Sequence, residues 1–215
     1  DLNFGNNIIS SAYFDATNNE AYLYSYGEGL GSHFSLGSLG FLGYSGGDVT
    51  IYGSEFNDLI SGTASYAYPE AGTYDLTVYG YGGLDVIDIS ERFTTSDTVY
   101  AGSGDDIVYV RYTEYTDDVL IDGGDGTDTL VFASSTDAIT YVMNSAPTTN
   151  FENVYGDTGD DTITGDDGDN RLVGRGGSDT LTGGAGNDEL FGHILANTTF
   201  GFTDITDSAD TLYGG

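Results

Sequence analysis

Asp161, Asn170, Asp179 and Asp188 stand nine residues apart, and each closes a glycine-rich hexapeptide: GDTGDD, GDDGDN, GRGGSD and GGAGND. Short oxygen-bearing side chains at the end of a tight turn suit a hard cation, because a curled backbone brings carbonyl oxygens inward and the carboxylate completes the cage. Calcium takes six to eight oxygens at about 2.3–2.6 Å and fits such a cage better than magnesium, which demands stricter octahedral geometry. Glycine at the first and fourth positions of each unit (Gly156 and Gly159, Gly165 and Gly168, Gly174 and Gly177, Gly183 and Gly186) is expected to permit the positive φ that a tight curl needs.

These turns must be held in register by something equally periodic. Two residues after each ligand candidate comes an apolar side chain, Ile163, Leu172, Leu181 and Leu190, flanked by residues that alternate as in Thr162-Ile163-Thr164. That alternation suits a short strand with one side chain inward. A nine-residue period of turn and strand over residues 156–191 implies a solenoid of stacked turns with a narrow core.

The repeats resemble the glycine- and aspartate-rich nonapeptides of the RTX (hemolysin-type calcium-binding) family. Single units recur upstream as GYGGLDVID at residues 80–88, AGSGDDIVY at 101–109 and GGDGTDTLV at 123–131, so that clear motif covers under a third of the 215 residues. The resemblance implies an all-β fold, a parallel β-roll with two nonapeptides per coil and several Ca2+ ions held between turns stacked on one edge. It also implies that Asp161 and Asp179 share one edge while Asn170 and Asp188 share the other. Carried onto matching upstream positions, it nominates Gly80, Gly83, Asp85, Gly104, Asp106, Gly123, Gly126 and Asp128 as metal-site residues. The chain departs from the pattern at Asn170, which lacks a charge, and at Arg175, whose guanidinium would be repelled by a nearby dication unless it points to solvent.

Upstream, the steps between Asp85, Asp97, Asp106, Asp118 and Asp128 alternate longer and shorter, which reads as a continuous roll whose coils have one edge lengthened. Calcium is expected mainly on the glycine-turn edge between Gly80 and Asp128. The degenerate unit GSEFNDLIS at residues 53–61 places Asp58 three nonapeptide units before Asp85. Residues 1–77 are therefore read as a β-rich segment or cap, with degenerate roll at its end, and residues 78–215 as the roll. An insertion at 193–209 interrupts the roll before Asp210-Thr211-Leu212-Tyr213 resumes it, and the chain stops mid-repeat.

The formal charge is −31, from 35 acidic and 4 basic residues, and cysteine is absent. A chain this anionic resists compaction until cations neutralise it, and it lacks the basic patches that nucleic acid or anionic membranes require. No apolar run reaches the length of a membrane span. Lack of disulfides together with weak turn sites points to an extracellular or cell-surface setting, where millimolar calcium is available. With no initiator methionine and an end inside a repeat, the chain reads as a segment of a longer bacterial protein. By the resemblance, that protein is exported by type I machinery.

Catalysis finds no support. Gly43-Tyr44-Ser45-Gly46-Gly47 satisfies G-x-S-x-G, yet a strand-like DVTIY follows where a nucleophile elbow needs a helix. His33 and His193 are isolated and lack the partners of a zinc site. The 18 tyrosines include Tyr79, Tyr100, Tyr109, Tyr155 and Tyr213 at the ninth repeat position, where a ladder outside the roll is expected. Such a ladder either stiffens neighbouring coils or contacts a polysaccharide or a second copy of the chain. The function expected is that of a noncatalytic calcium-binding structural module that folds on meeting extracellular calcium. The alternatives are a segment of a self-assembling surface layer, filament or adhesin, and the tail of a secreted RTX enzyme or toxin.

Overall fold

The computed structural model describes residues 50–61, 75–90, 97–111, 120–133, 136–145, 148–193 and 210–215, together with the backbone of Val49 and of five strands between Leu2 and Ser35. Among the described residues there is no helix, and strands alternate with short turns throughout. Each coil contributes one strand to each of two facing sheets. One sheet runs the length of the roll and orders its strands Glu189–Phe191, Arg171–Val173, Asn153–Tyr155, Thr129–Phe132, Ile107–Val110, Val86–Asp88, Leu59–Ser61 and His33–Ser35. Every pairing along it is parallel.

Two shorter sheets supply the other strand of each coil. Upstream, Val49–Ser54, Leu76–Tyr81, Thr98–Ser103, Leu120–Asp125 and Thr148–Thr149 stack in parallel. Downstream, Thr140–Val142, Thr162–Thr164, Thr180–Thr182 and Thr211–Tyr213 do the same. The ladders cross residue 77, since Val49–Ser54 pairs in parallel with Leu76–Tyr81 and Leu59–Ser61 with Val86–Asp88, and they extend to Glu20–Tyr24, which pairs in parallel with Val49–Ser54 and antiparallel with Ser11–Asp15.

Period-two strands place one residue of each rung inside, and the core consists of those columns. Ile60, Ile87, Val108, Leu130, Val154 and Leu172 align rung by rung and are fully buried. Facing them are Ile51, Val78, Val99 and Ile121 upstream and Tyr141, Ile163 and Leu181 downstream. The changeover is aromatic: Phe132 packs edge-on to Tyr141 with centroids 5.2 Å apart, and the Tyr141 hydroxyl bonds Thr148 Oγ1 at 2.8 Å. That bond satisfies the polar residue that enters the core column where the upstream sheet ends.

The coils are not of equal length. Asp58 and Asp85 are neighbours in the stack, so the 27 residues between them form one coil rather than three units. The coils that follow are of 21, 22 and 24 residues, then of the regular 18 from Asp161 to Asp179 and from Asn170 to Asp188, while the step from Asp179 to Asp210 across the insertion is of 31.

Candidate metal centre

The sixth residues of successive turns form a ladder on one edge. The backbone N–H of Asp58 donates to Asp85 Oδ1 at 2.7 Å, that of Asp85 to Asp106 Oδ1 at 2.7 Å, and that of Asp106 to Asp128 Oδ1 at 2.8 Å. Glu152 supplies the next rung, accepting from the Asp128 N–H at 2.7 Å. Further along, the Asn170 N–H donates to Asp188 Oδ1 at 3.0 Å. The opposite edge carries its own ladder: Ile139 N–H to Asp161 Oδ1 at 3.0 Å, Asp161 N–H to Asp179 Oδ1 at 2.9 Å, and Asp179 N–H to Asp210 Oδ1 at 2.9 Å. The structure thus brings Asp161 to Asp179 and Asn170 to Asp188, on separate edges. Asp118 lies outside the described residues.

The glycines act differently from expectation at the first position. A Cβ on Gly80 would sit 2.4 Å from Asp85 Oδ2, and one on Gly183 2.2 Å from Asp188 Oδ2. The first glycine therefore makes room for the carboxylate, and positive φ falls instead on second and fourth residues such as Gly102 (121°) and Gly104 (129°). At both of these the next carbonyl is in the way of any side chain: a Cβ on Gly104 would lie 1.6 Å from the Gly83 oxygen, and one on Gly102 2.2 Å from that of Tyr81. Main-chain oxygens from adjacent coils thereby gather beside the carboxylates.

Two kinds of turn result. Where the second residue is left-handed, as at Tyr81, Gly102, Gly124 and Gly184, the Oδ2 atoms of Asp85, Asp106, Asp128 and Asp188 are buried without a protein hydrogen-bond partner. Where the second residue is Asp157 or Asp166, its carboxylate caps the turn by accepting from Gly159 or Gly168 N–H at 2.8 Å. Its own N–H then donates to the sixth residue, Asp157 to Asp161 Oδ2 at 3.0 Å and Asp166 to Asn170 Oδ1 at 2.8 Å. Asn170 Nδ2 also returns to Asp166 Oδ1, so the asparagine spends its side chain closing its own turn.

Buried carboxylates crowded together resist ionisation. Burial first, then the charges of Asp106 and Asp58, push Asp85 up to about 8, against hydrogen bonding that pulls it down. Asp128 rises to about 7 through burial and the neighbouring charges of Asp106 and Glu152, and Asp161 to about 7 through burial and the charges of Asp157 and Asp179. Burial raises Asp106 as well. Asp166 moves the other way: burial opposes it, but hydrogen bonds from Gly168, Asn170 and Asn144 hold it low. An orphaned, buried carboxylate oxygen with a raised pKa is one that favours a positive charge beside it. Among the described residues no three His, Cys, Asp or Glu side chains converge on a common point. The donor set on offer is a carboxylate plus main-chain carbonyls, a hard-oxygen set that suits calcium.

Arg175 corrects a second expectation. Its backbone is left-handed (φ 80°), and its guanidinium points into the edge rather than to solvent, donating to the carbonyls of Gly156 at 3.0 Å and Phe132 at 3.3 Å. Burial lowers its pKa, while the charges of Asp157 and Asp161 oppose that shift. Arg171 lies on the outer face, paired with Glu189 and over the Phe191 ring at 4.5 Å.

Among the described residues the tyrosine ladder forms on the upstream sheet. Tyr52, Tyr79 and Tyr100 stack with centroids 5.3 and 5.2 Å apart. Tyr109 and Tyr155 instead join Val131 and Val173 in a second apolar cluster. Tyr213 is exposed. His193 Nδ1 faces the Arg175 carbonyl at 3.2 Å. The G-x-S-x-G stretch and the side chain of His33 lie outside the described residues. Sequence reasoning missed Glu152, although its place one regular coil before Asn170 marks it.

The RTX calcium-binding nonapeptide repeat matches the chain in 4 copies, over residues 94–110, 116–139 and 155–190. No curated protein matches the chain. With parallel ladders and glycine turns recurring there, the matched segments are RTX calcium-binding nonapeptide repeats, and their described residues fold as a β-roll.

Proposed function

We propose that this chain is a calcium-gated folding and spacer module of a larger secreted or cell-surface bacterial protein exported by type I machinery, and that it carries no catalytic site. The observation that supports the reading is the row of buried, unpartnered Oδ2 atoms of Asp85, Asp106 and Asp128 beside stacked carbonyls on one edge. Calcium, when bound, supplies the positive charge that this oxygen-lined edge lacks. The chain's own part is to hold each carboxylate by its Oδ1 in the ladder, leaving Oδ2 aimed at the turn. At a charge of −31 the chain stays extended where calcium is scarce, and closes its turns where calcium is plentiful. In this reading residues 78–215 are the working roll, broken by the insertion at 193–209, and residues 1–77 are a β-rich cap that ends in degenerate roll.

A contact face is a second reading, favoured by the stacked Tyr52, Tyr79 and Tyr100 and the exposed Tyr81 beside them. Its partner would be a cell-surface polysaccharide or another copy of the chain, and calcium-dependent polymers in electron micrographs would favour the latter.

Equilibrium calcium binding to Asp106→Asn tests the main reading. The amide keeps an acceptor for the Asp85 N–H but removes the charge facing the turn. Weaker binding with fewer ions per chain is expected, and unchanged stoichiometry and midpoint would refute the assignment.

A further inference from the structure

The turn at residues 156–161 has the glycines and the aspartate of a calcium turn, yet both Asp161 carboxylate oxygens and the Gly156 carbonyl are already engaged. Asp161 Oδ1 accepts from the Ile139 N–H at 3.0 Å and Oδ2 from the Asp157 N–H at 3.0 Å. The Gly156 carbonyl, which the neighbouring turn would otherwise share with a cation, accepts from Arg175 at 3.0 Å. The same guanidinium nitrogen reaches Phe132 O at 3.3 Å, so one side chain ties together three successive coils, through residues 132, 156 and 175. These coils lie where the roll changes character. The upstream sheet ends at Thr148–Thr149 and the downstream sheet starts at Thr140–Val142. Here too the coil shortens, from 24 residues between Thr129 and Asn153 to the regular 18 between Asp161 and Asp179.

We propose that Arg175 is a resident cation that closes the turn at residues 156–161 in place of a calcium ion, so that the junction between irregular and regular coils is held without metal. The inference rests on the calcium reading of the other turns and divides them. Turns ending in Asp85, Asp106, Asp128 and Asp188 await an external cation, whereas the junction carries its own. Arginine suits the task because its permanently charged group donates from one nitrogen to both carbonyls. Its position also explains why a bulky residue persists at φ 80°, where glycine would be unstrained. The staple would give the extended chain a place to begin closing before calcium fills the remaining turns.

The test compares the full chain with Arg175→Gly, which restores the repeat pattern and relieves the backbone. Two quantities are measured: calcium bound per chain by equilibrium dialysis, and hydrogen exchange of residues 129–173 in chelator. The substitution is expected to add about one calcium ion per chain, because the Gly156 carbonyl is released. It is also expected to erase, in chelator, an exchange protection that the wild type retains around Phe132, Val154 and Leu172. Equal stoichiometry, or a wild-type junction that exchanges in chelator as fast as the coils around Asp106, overturns the proposal. Should Arg175→Gly stay open at saturating calcium, Arg175→Asn tolerates the left-handed backbone and is too short to reach Gly156. Its stoichiometry then decides, with an added ion in support and an unchanged count against. A wild type that binds no calcium but protects the junction would instead refute the calcium reading while sustaining the staple.

Discussion

Acid should replace calcium in closing the roll. Asp85 titrates near 8 in the closed, metal-free roll, and Asp128 and Asp161 near 7, against 3.8 in an open chain. Because these folded values are raised, the closed form holds more protons than the open form between about pH 4 and pH 8. Stability from these groups is therefore fully present below pH 3.8 and is lost as the pH rises through 7 and 8. Taking the chelated chain from pH 8 down to pH 5 should favour closure by roughly 3 kcal/mol for each such carboxylate. The three do not simply add, because Asp85 shares its burden with Asp106 and Asp58. The assay is far-UV circular dichroism in chelator across that pH range, on wild type and Asp85→Asn. The amide keeps an acceptor for the Asp58 N–H but does not titrate, so the variant should start with more β signal at pH 8 and gain less on acidification. A chelated wild type that stays open at pH 5, or a variant whose profile superimposes on it, would refute the reasoning.

Gly104→Ala places a Cβ 1.6 Å from the Gly83 carbonyl oxygen at a φ of 129°, a backbone clash with no flexible partner to yield. A loss of about 3 kcal/mol or more is expected in urea unfolding of the calcium-loaded protein. Glu152→Ala strips the acceptor from the Asp128 N–H and should cost about 1–3 kcal/mol in the same assay, with Glu152→Gln recovering most of it. Leu130→Ala opens a hole in a fully buried column and should cost about 2–5 kcal/mol without altering the number of calcium ions bound at saturation.

Much of this architecture is legible in the chain because ligand and core positions advance together. Asp161 and Ile163, or Asp179 and Leu181, are locked two residues apart, so finding one column finds the other. Where coils lengthen, that lock loosens. Asp58 and Asp85 look like three units in sequence but are one rung in space, because parallel pairing fixes the strands and leaves the length of the return path free. The difference between self-closed and cation-ready turns is invisible in the glycine pattern, since it depends on the second residue, where Asp157 caps the turn and Gly102 cannot. Glu152 escapes the glycine and aspartate pattern because a longer side chain fills the rung that aspartate fills elsewhere. Arg175 stands out as an irregular residue, but only the fold reveals that its charge is turned inward onto the edge.

The most direct measurement is a calcium titration of the chelated chain at about neutral pH, followed by far-UV circular dichroism, with magnesium as the control. A cooperative gain of β signal that calcium alone produces, and that chelator reverses, is the expected result. A chain already folded in chelator and indifferent to calcium would contradict the account, and would mean that the core and the Arg175 staple hold the roll by themselves.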